Sequence, residues 1–170
     1  MTAATTLTTA RMTLRMPRAS DLPAYTAYCA SDRTRFVRGP FTAPQAFDKY
    51  AAITGHWALR GFGRYIMERG GTPIGHVGPM QLDETQPPEL TWTLWDAAYE
   101  GHGYATEGAR AVRDHLFGDL HWTRMIIYVL PDNTGSARIA ERIAATLTDD
   151  PAPDWYAGCL TYRLRAGVPA

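Results

Sequence analysis

The segment from Glu89 to Phe117 changes from a strand pattern to a helix pattern across a turn with two glycines, and this change constrains the fold most. In its first part, apolar and polar residues alternate with a period of two, as in a half-buried strand. After Gly101 and Gly103, apolar residues recur at helical spacing from Ala105 onward. The first backbone N–H groups of such a helix have no internal partner. Because they lie at the positive end of the helix dipole, they are suited to bind an anion such as phosphate.

The first half of the chain predicts one strand, two helices and a β-hairpin. Residues 11–16 alternate as a strand, and Thr42 is a good N-cap for the second helix. From Gly63 the period returns to two on both sides of the Gly70–Gly71 pair, which suits the positive φ angles of a tight hairpin turn. Pro79 lies in the second arm and favours a bulge or an edge position there, because it has no backbone N–H.

The second half of the chain predicts a crossover connection. The segment WTRMIIYVL, residues 122–130, has the nearly continuous apolar pattern of a strand buried on both faces, parallel to the strand that begins at Glu89. A helix from Asn133 to about Thr146 and a last strand over residues 159–165 follow. We therefore predict an α/β (α+β) fold with a single mixed, mostly antiparallel sheet flanked by helices.

Length and composition limit the class of protein. A length of 170 residues fits one domain over residues 1–170, and the Thr-rich residues 1–9 are expected to form a flexible tail. The 17 basic and 17 acidic residues give no general attraction to nucleic acid or to an anionic membrane. Without a membrane-spanning run or a secretion-signal pattern, we expect a cytoplasmic protein, as a monomer or a homodimer. Cys29 and Cys159 lack metal-type spacing and are expected to be free thiols, and no metal is predicted.

The segments YEGHGYATEGARAVRDHLF and PDNTGSARIAERIA, taken with the order of elements, resemble the GNAT N-acetyltransferase superfamily, and within it the RimJ/RimL-like branch that acetylates ribosomal-protein N-termini. In this family the acyl-CoA pyrophosphate sits on a turn of pattern [QR]-x-x-G-x-[GA]. Gly103 and Ala105 match this pattern, whereas Glu100 replaces its first residue. The resemblance implies acetyl-CoA as co-substrate. The residues implied to contact it are Trp95, Gly101, His102, Gly103, Tyr104, Ala105, Thr106, Asn133, Ser136 and Arg138.

A second family motif, Asn-x-x-Ser followed by Glu, corresponds to Asn133, Ser136 and Glu141. Many members place a Tyr just before this Glu to protonate the leaving thiolate, and here that position is Ala140. In the RimL-like branch the motif Ser is the proposed substitute, so the resemblance implies Ser136 as the catalytic acid. The Gly-Phe pair that usually follows the motif is Ala144–Ala145 here.

Acetyl transfer to an amine requires a neutral amine. At pH 7 this costs about 1 to 1.5 kcal/mol for an α-amine with a pKa near 8, but about 4.6 kcal/mol for a lysine-like amine. A weak base therefore suffices for a protein N-terminus. Glu89 is the first candidate and matches an acidic residue often found there in the branch, while His76 or water are alternatives.

The transition state also needs a donor for its oxyanion. In this family the donor is a backbone N–H on a bulged strand, expected here around residues 94–96. The aromatic residues expected to line the acceptor groove are Trp57, Tyr65 and Trp92.

Several functions remain open at this point. The acceptor is expected to be a protein N-terminal α-amine, with a small-molecule amine such as a polyamine or an aminoglycoside as the alternative. A CoA-binding module that has lost catalysis is a further possibility, because Ala140 and Glu100 depart from the family pattern. GHGYAT also partly imitates the dinucleotide motif G-x-G-x-x-G, but Thr106 replaces its third glycine and no further βαβ units follow.

Overall fold

The computed structural model describes residues 2–167, and its centre is an eight-stranded sheet with the order β1-β2-β3-β4-β5-β6-β8-β7. Strands β5 and β6 pair in parallel, and the other neighbours pair in antiparallel fashion. The predicted mixed sheet is confirmed. The strands are β1 (Thr6–Thr8), β2 (Thr13–Arg15), β3 (Tyr65–Arg69), β4 (Thr72–Met80), β5 (Glu89–Leu94), β6 (Arg124–Val129), β7 (Thr146–Thr148) and β8 (Leu160–Arg165).

Four α-helices cover the sheet, with short 3-10 turns between elements. They are α1 (Leu22–Cys29), α2 (Ala43–Arg60), α3 (Tyr104–Asp114) and α4 (Thr134–Arg142). Thr42 caps α2 as predicted: its side chain accepts from the N–H of Gln45. Among the described residues, no helix is long and apolar enough to cross a lipid bilayer.

The sheet has a separate core on each face. Helices α3 and α4 cover one face, where Leu90 of β5 packs with Ala109 and Val112 of α3. Helices α1 and α2 cover the other face, where Trp95 packs with Tyr25 of α1. Because side chains alternate along a strand, residues 90, 92 and 94 face α3 and α4, whereas residues 89, 91 and 93 face the side of α1 and α2.

The N-terminal segment is not a flexible tail over the described residues. Thr6–Thr8 form β1 and pair with β2. The backbone N–H of Ala3 donates to Gly61 at 2.9 Å, and the Tyr65 hydroxyl donates to the carbonyl of Ala4 at 2.7 Å. The prediction from composition was wrong because β-branched threonine suits a sheet edge, and these long-range partners are not visible in the local sequence.

Helix α4 ends earlier than predicted. Ala144 adopts a φ angle of 64°, and its N–H donates to the carbonyl of Glu141 at 2.9 Å. It thus has the left-handed conformation that favours glycine, at the position where the family pattern has glycine. The chain then turns into β7, a strand that the sequence analysis did not predict.

Strands β5 and β6 lie side by side at their start and then separate. Their register has a single pair, Glu89 with Ile126, and the N–H of Ile126 donates to the carbonyl of Pro88 at 3.0 Å. Beyond this pair a gap opens toward the carboxyl ends of both strands. We call this opening the β5–β6 gap.

The pairing of β5 with β4 leaves alternate backbone groups directed into the β5–β6 gap. The N–H of Trp95 donates to Ile74 of β4 at 2.9 Å, so residues 89, 91 and 93 also direct their backbone groups toward β4. Trp92 and Leu94 therefore direct theirs toward the gap. Pro79 fits this pattern: it lies opposite Leu90, at a position where β4 needs no N–H toward β5, so it is accommodated in a central strand rather than at an edge.

Candidate active site

The glycine turn before α3 presents unpaired backbone amides. Gly101 and Gly103 have φ angles of 76° and 80°, and Gly103 immediately precedes the first helical residue. Within residues 2–167, no N–H of residues 101–106 donates to a protein acceptor; the first such bond of α3 is from Glu107 to Gly103. Successive free amides at a helix start form a site for an anion, as the sequence indicated.

The residues of this turn differ in what they offer a ligand. The side chains of Tyr104, Ala105 and Thr106 are buried, so these residues present mainly their backbone. Gly101, His102 and Gly103 are exposed. A Cβ on Gly101 would meet nothing within 4 Å, so the approach to the turn is open on that side.

Two arginines lie next to the turn, and the sequence analysis missed both. The Arg11 guanidinium donates to the carbonyl of His102 at 2.8 Å, pairs with Glu107 at 2.6 Å and lies 4.6 Å from the centre of the Tyr104 ring. Arg69 lies 5.5 Å from the same ring. The available signal was Glu107, because its carboxylate would repel a phosphate bound at the turn unless a cation lay beside it.

Glu100, the residue that departs from the family pattern, has a structural partner. Its carboxylate accepts from the Arg33 guanidinium at 2.7 Å, and Arg33 also donates to the carbonyl of Leu94 at 3.0 Å. The loop after α1 is thereby tied to the end of β5 and to the glycine turn. Glu100 thus serves to position the loop and the turn relative to each other.

Ser136 and Trp92 meet at the β5–β6 gap on the α3 and α4 face. The Trp92 indole N–H donates to the Ser136 hydroxyl oxygen at 3.3 Å. Asn133 caps α4, with its side-chain oxygen accepting from the N–H of Ser136 at 3.2 Å. Because the Ser136 oxygen accepts from the indole, its own hydroxyl hydrogen remains available to a ligand in the gap.

Glu89 lies at the origin of the gap, on the opposite face of the sheet. Its side chain is buried, and burial raises its pKa to about 7, although the Tyr156 hydroxyl and the charge of Arg64 act in the other direction. A shallow recess lined by Met80, Tyr128 and Tyr156 reaches this carboxyl. A carboxyl that ionises near pH 7 is suited to act as a general base at physiological pH.

His76 is buried on the same face as Glu89 and is held neutral. Its Nδ1 accepts from the Trp95 indole N–H at 2.9 Å, and burial holds its pKa well below the ordinary value, with the charge of Arg64 acting in the same direction. With Nδ1 as acceptor, Nε2 carries the proton of the neutral ring and is a donor. This arrangement favours Glu89 over His76 as the base.

The structure buries three of the aromatic side chains that were predicted to contact a ligand. Trp95 packs under α1 with its indole bonded to His76, so its side chain does not face a cofactor. Trp57 and Tyr65 are core residues stacked edge-to-face at 4.9 Å, and neither has surface left for an acceptor. Arg138 is exposed on α4. These aromatic residues were misassigned because their strand or helix pattern does not reveal which layer covers them.

The split sheet and the amide-lined turn at its carboxyl edge define an acyltransferase architecture. The chain matches the acetyltransferase (GNAT) domain over residues 11–146 and therefore belongs to that family. The prediction of family and enzyme class is confirmed.

Three known proteins show how far the likeness extends. An acetyltransferase from Agrobacterium tumefaciens strain C58 is 36% identical, with a TM-score of 0.86 over 97% of this chain and 96% of that one. RimL, a ribosomal L7/L12 α-N-protein acetyltransferase crystallised with coenzyme A, shares the fold with a TM-score of 0.71 at 14% identity, over 92% of this chain and 95% of RimL. The uncharacterized protein YkkB of Bacillus subtilis strain 168 is 32% identical over 78 residues; the match spans 45% of this chain and 45% of YkkB, less than half of each.

Proposed function

We propose that the protein transfers an acetyl group from acetyl-CoA to a primary amine, with Glu89 as general base. The observation that carries this proposal is the position of Glu89, whose pKa is raised to about 7, at the origin of a gap that leads to unpaired amides. The gap joins the two faces of the sheet, so two substrates can approach each other from opposite sides.

The acetyl-CoA site is assigned from the groups that fit its parts. The amides of residues 101–106 and the nearby charge of Arg11 fit the diphosphate. The backbone N–H and carbonyl of Trp92, which face the gap, fit the amide-bearing arm, because an extended segment can pair with an unpaired strand edge. Ser136 lies beside this path, where it can meet the sulfur.

We assign one group of the protein to each of three steps: deprotonation of the amine, stabilisation of the oxyanion and protonation of the leaving thiolate. Glu89 accepts a proton from the ammonium group and passes it to solvent, and the neutral amine then attacks the thioester carbon on the far side of the gap. The attacking nitrogen gives its second proton to Glu89 as the tetrahedral intermediate collapses to the amide. The Leu94 N–H faces the gap and is the donor we assign to the oxyanion, since the Trp95 N–H is bonded to β4. As the carbon–sulfur bond breaks, Ser136 gives its proton to the thiolate and is reprotonated from solvent.

The acceptor we infer is an α-amine, as in the RimJ/RimL-like branch, because its pKa lies close to that of Glu89. A base with a pKa near 7 removes a proton from an amine of pKa near 8 with little cost, whereas a lysine-like amine adds about 3 kcal/mol.

A direct experiment separates the open functions. Calorimetry with acetyl-CoA should show binding, while NADH should show none. Thiol release should then be followed with N-terminal peptides, polyamines and aminoglycosides as acceptors. Turnover with α-amines supports the proposal; acetyl-CoA binding without turnover of any acceptor would instead identify a binding module.

Replacing Ser136 by Ala is expected to lower kcat about tenfold while acetyl-CoA affinity stays nearly constant. The loss is limited because water can protonate a thiolate, a comparatively good leaving group, and the Ser136 backbone N–H keeps its bond to Asn133. Steady-state thiol release and calorimetry measure the two quantities. Thr134→Ala, an exposed change in the same helical turn, is the matched control. An unchanged kcat in Ser136→Ala would remove Ser136 from the acid role.

A further inference from the structure

Arg64 is a partly buried cation to which the mechanism above gives no part. It lies just before β3, and its carbonyl accepts from the Trp57 indole N–H at 3.0 Å, which fixes its backbone. In the described part of the chain, its guanidinium forms no hydrogen bond or ion pair. Other arginines withdrawn from solvent have such partners: the buried Arg15 pairs with Asp21 and the half-buried Arg33 with Glu100. None of its nitrogen atoms is a buried polar atom without a partner, so solvent reaches the Arg64 guanidinium and its donors are available to a ligand.

The register of the sheet places Arg64 on the same face as the base. Tyr65 pairs with Val77, so Arg64 lies opposite Gly78, and Gly78 lies opposite Thr91 of β5. A Cβ on Gly78 would come within 2.8 Å of the Arg64 Cα, so the strand cannot carry a side chain here. Arg64 and Glu89 project from the same face of the sheet, and no side chain of β4 at position 78 separates them.

The surroundings of Arg64 supply hydroxyl groups and one ionisable carboxyl. Tyr25 and Tyr28 of α1 belong to the core on this face of the sheet, and Tyr156 lines the recess that reaches Glu89. His76, on the same face, is neutral. Burial lowers the pKa of Arg64 from its ordinary value, but a guanidinium still remains charged at neutral pH. Among the residues that the structure describes, Arg64 is thus an unpaired cation on the same face of the sheet as the proposed base.

We propose that Arg64 binds a carboxylate carried by the acceptor near its reactive amine, so that the protein prefers amino-acid-like or acidic N-terminal acceptors over polycationic ones. This inference rests on the proposed acetyltransferase function. A carboxylate fits the planar fork of a single guanidinium. Glu89 in its ionised, active form would repel a phosphate dianion more strongly than a singly charged carboxylate, and Arg64 itself would repel a polyamine or an aminoglycoside.

Matched acceptor pairs test this inference. The probes are L-alanine against L-alaninamide, and a peptide amide with Asp at its second position against the same peptide with Asn. Comparing phosphoethanolamine with ethanolamine shows whether the protein prefers an acceptor that carries a phosphate instead. We expect the carboxylate member of at least one of the first two pairs to have a tenfold or higher kcat/KM, and the pair that shows this identifies the source of the carboxylate.

Arg64→Met should reduce that preference at least tenfold, mainly through KM, and Arg64→Lys should retain part of it. Arg60→Met, which removes a surface arginine paired with Glu84, should retain it fully. The preference is the ratio of kcat/KM for the two members of a pair, so a general loss of activity lowers both values and leaves the ratio unchanged. If Arg64 served only to tune Glu89, Arg64→Met would shift the pH profile equally for both members of a pair and leave the ratio unchanged.

Binding gives a readout that needs no turnover. Calorimetry of the same pairs with the CoA-bound protein should show the carboxylate preference in the natural chain and its loss in Arg64→Met, and retained acetyl-CoA binding confirms that the variant is folded. Turnover without any carboxylate preference overturns this inference and leaves the proposed function standing. Absence of acetyl-CoA binding in the natural chain overturns the proposed function itself.

Discussion

Replacing Glu89 by Gln is expected to lower kcat/KM at least 100-fold, because general base catalysis contributes about 10² to 10⁴ in rate. In the natural chain kcat/KM should rise as the pH approaches 7, because burial raises the pKa of Glu89 to about 7 and the base must be ionised. The deprotonation of the acceptor amine should add a second step at higher pH. The variant should lack the step near pH 7. Thiol release between pH 5.5 and 9 at saturating acetyl-CoA measures both effects, and Glu84→Gln, at an exposed carboxylate, is the control.

The same substitution should increase stability at high pH, which distinguishes a lost base from a lost fold. The folded protein holds a proton on Glu89 up to about pH 7, whereas the unfolded chain releases it near 4.5. Stability therefore falls as pH rises between these values, by about 3 kcal/mol in total. Glu89→Gln avoids this loss, so its free energy of unfolding at pH 8 should exceed that of the natural chain. Full activity with an unchanged pH profile would place the base elsewhere.

Replacing Gly103 by Val is expected to weaken acetyl-CoA binding at least 30-fold. Gly103 has a φ angle of 80°, which a β-branched residue adopts only with strain, and its new side chain would stand among the amides that we assign to the diphosphate. Calorimetry with acetyl-CoA measures the affinity. Thermal unfolding measures the part of the loss that comes from strain alone.

Gly158→Val provides the comparison for this turn. Gly158 has a φ angle of 84°, and a Cβ there would meet nothing within 4 Å, so the backbone strain is similar but no amide site is adjacent. Its acetyl-CoA affinity should match that of the natural chain. An affinity in Gly103→Val that matches Gly158→Val would mean that the diphosphate binds away from the turn.

The parts of this fold that were predictable depend on local chemistry. The glycine turn at residues 101–103, the Thr42 cap and the Gly70–Gly71 hairpin each follow from residue types a few positions apart. The parallel pairing of β5 and β6 was predicted from the continuous apolar run of β6. Its premise of burial on both faces was wrong, because burial alternates along β6 and Ile126 and Tyr128 are only half-buried.

The parts that could not be predicted depend on distant partners. Arg11 meets Glu107 across 96 positions and Arg33 meets Glu100 across 67, and nothing in either local sequence specifies its partner. The predicted cofactor contact of the Trp95 side chain was not found for a related reason. The alternation of residues along β5 assigns Trp95 to one face of the sheet, but it does not reveal whether that face is covered by a helix or open to a ligand. For Glu89, the sequence supplied a candidate base, but the raised pKa depends on burial that only the tertiary structure shows.

The junction of β5 and β6 has a mechanical consequence. A single pair of residues joins the two halves of the sheet, and one member of that pair is Glu89. The proposed general base therefore lies where β5 and β6 begin to separate. A substitution that disturbs the pairing of Glu89 with Ile126 would therefore alter the position of the proposed base and the width of the β5–β6 gap together.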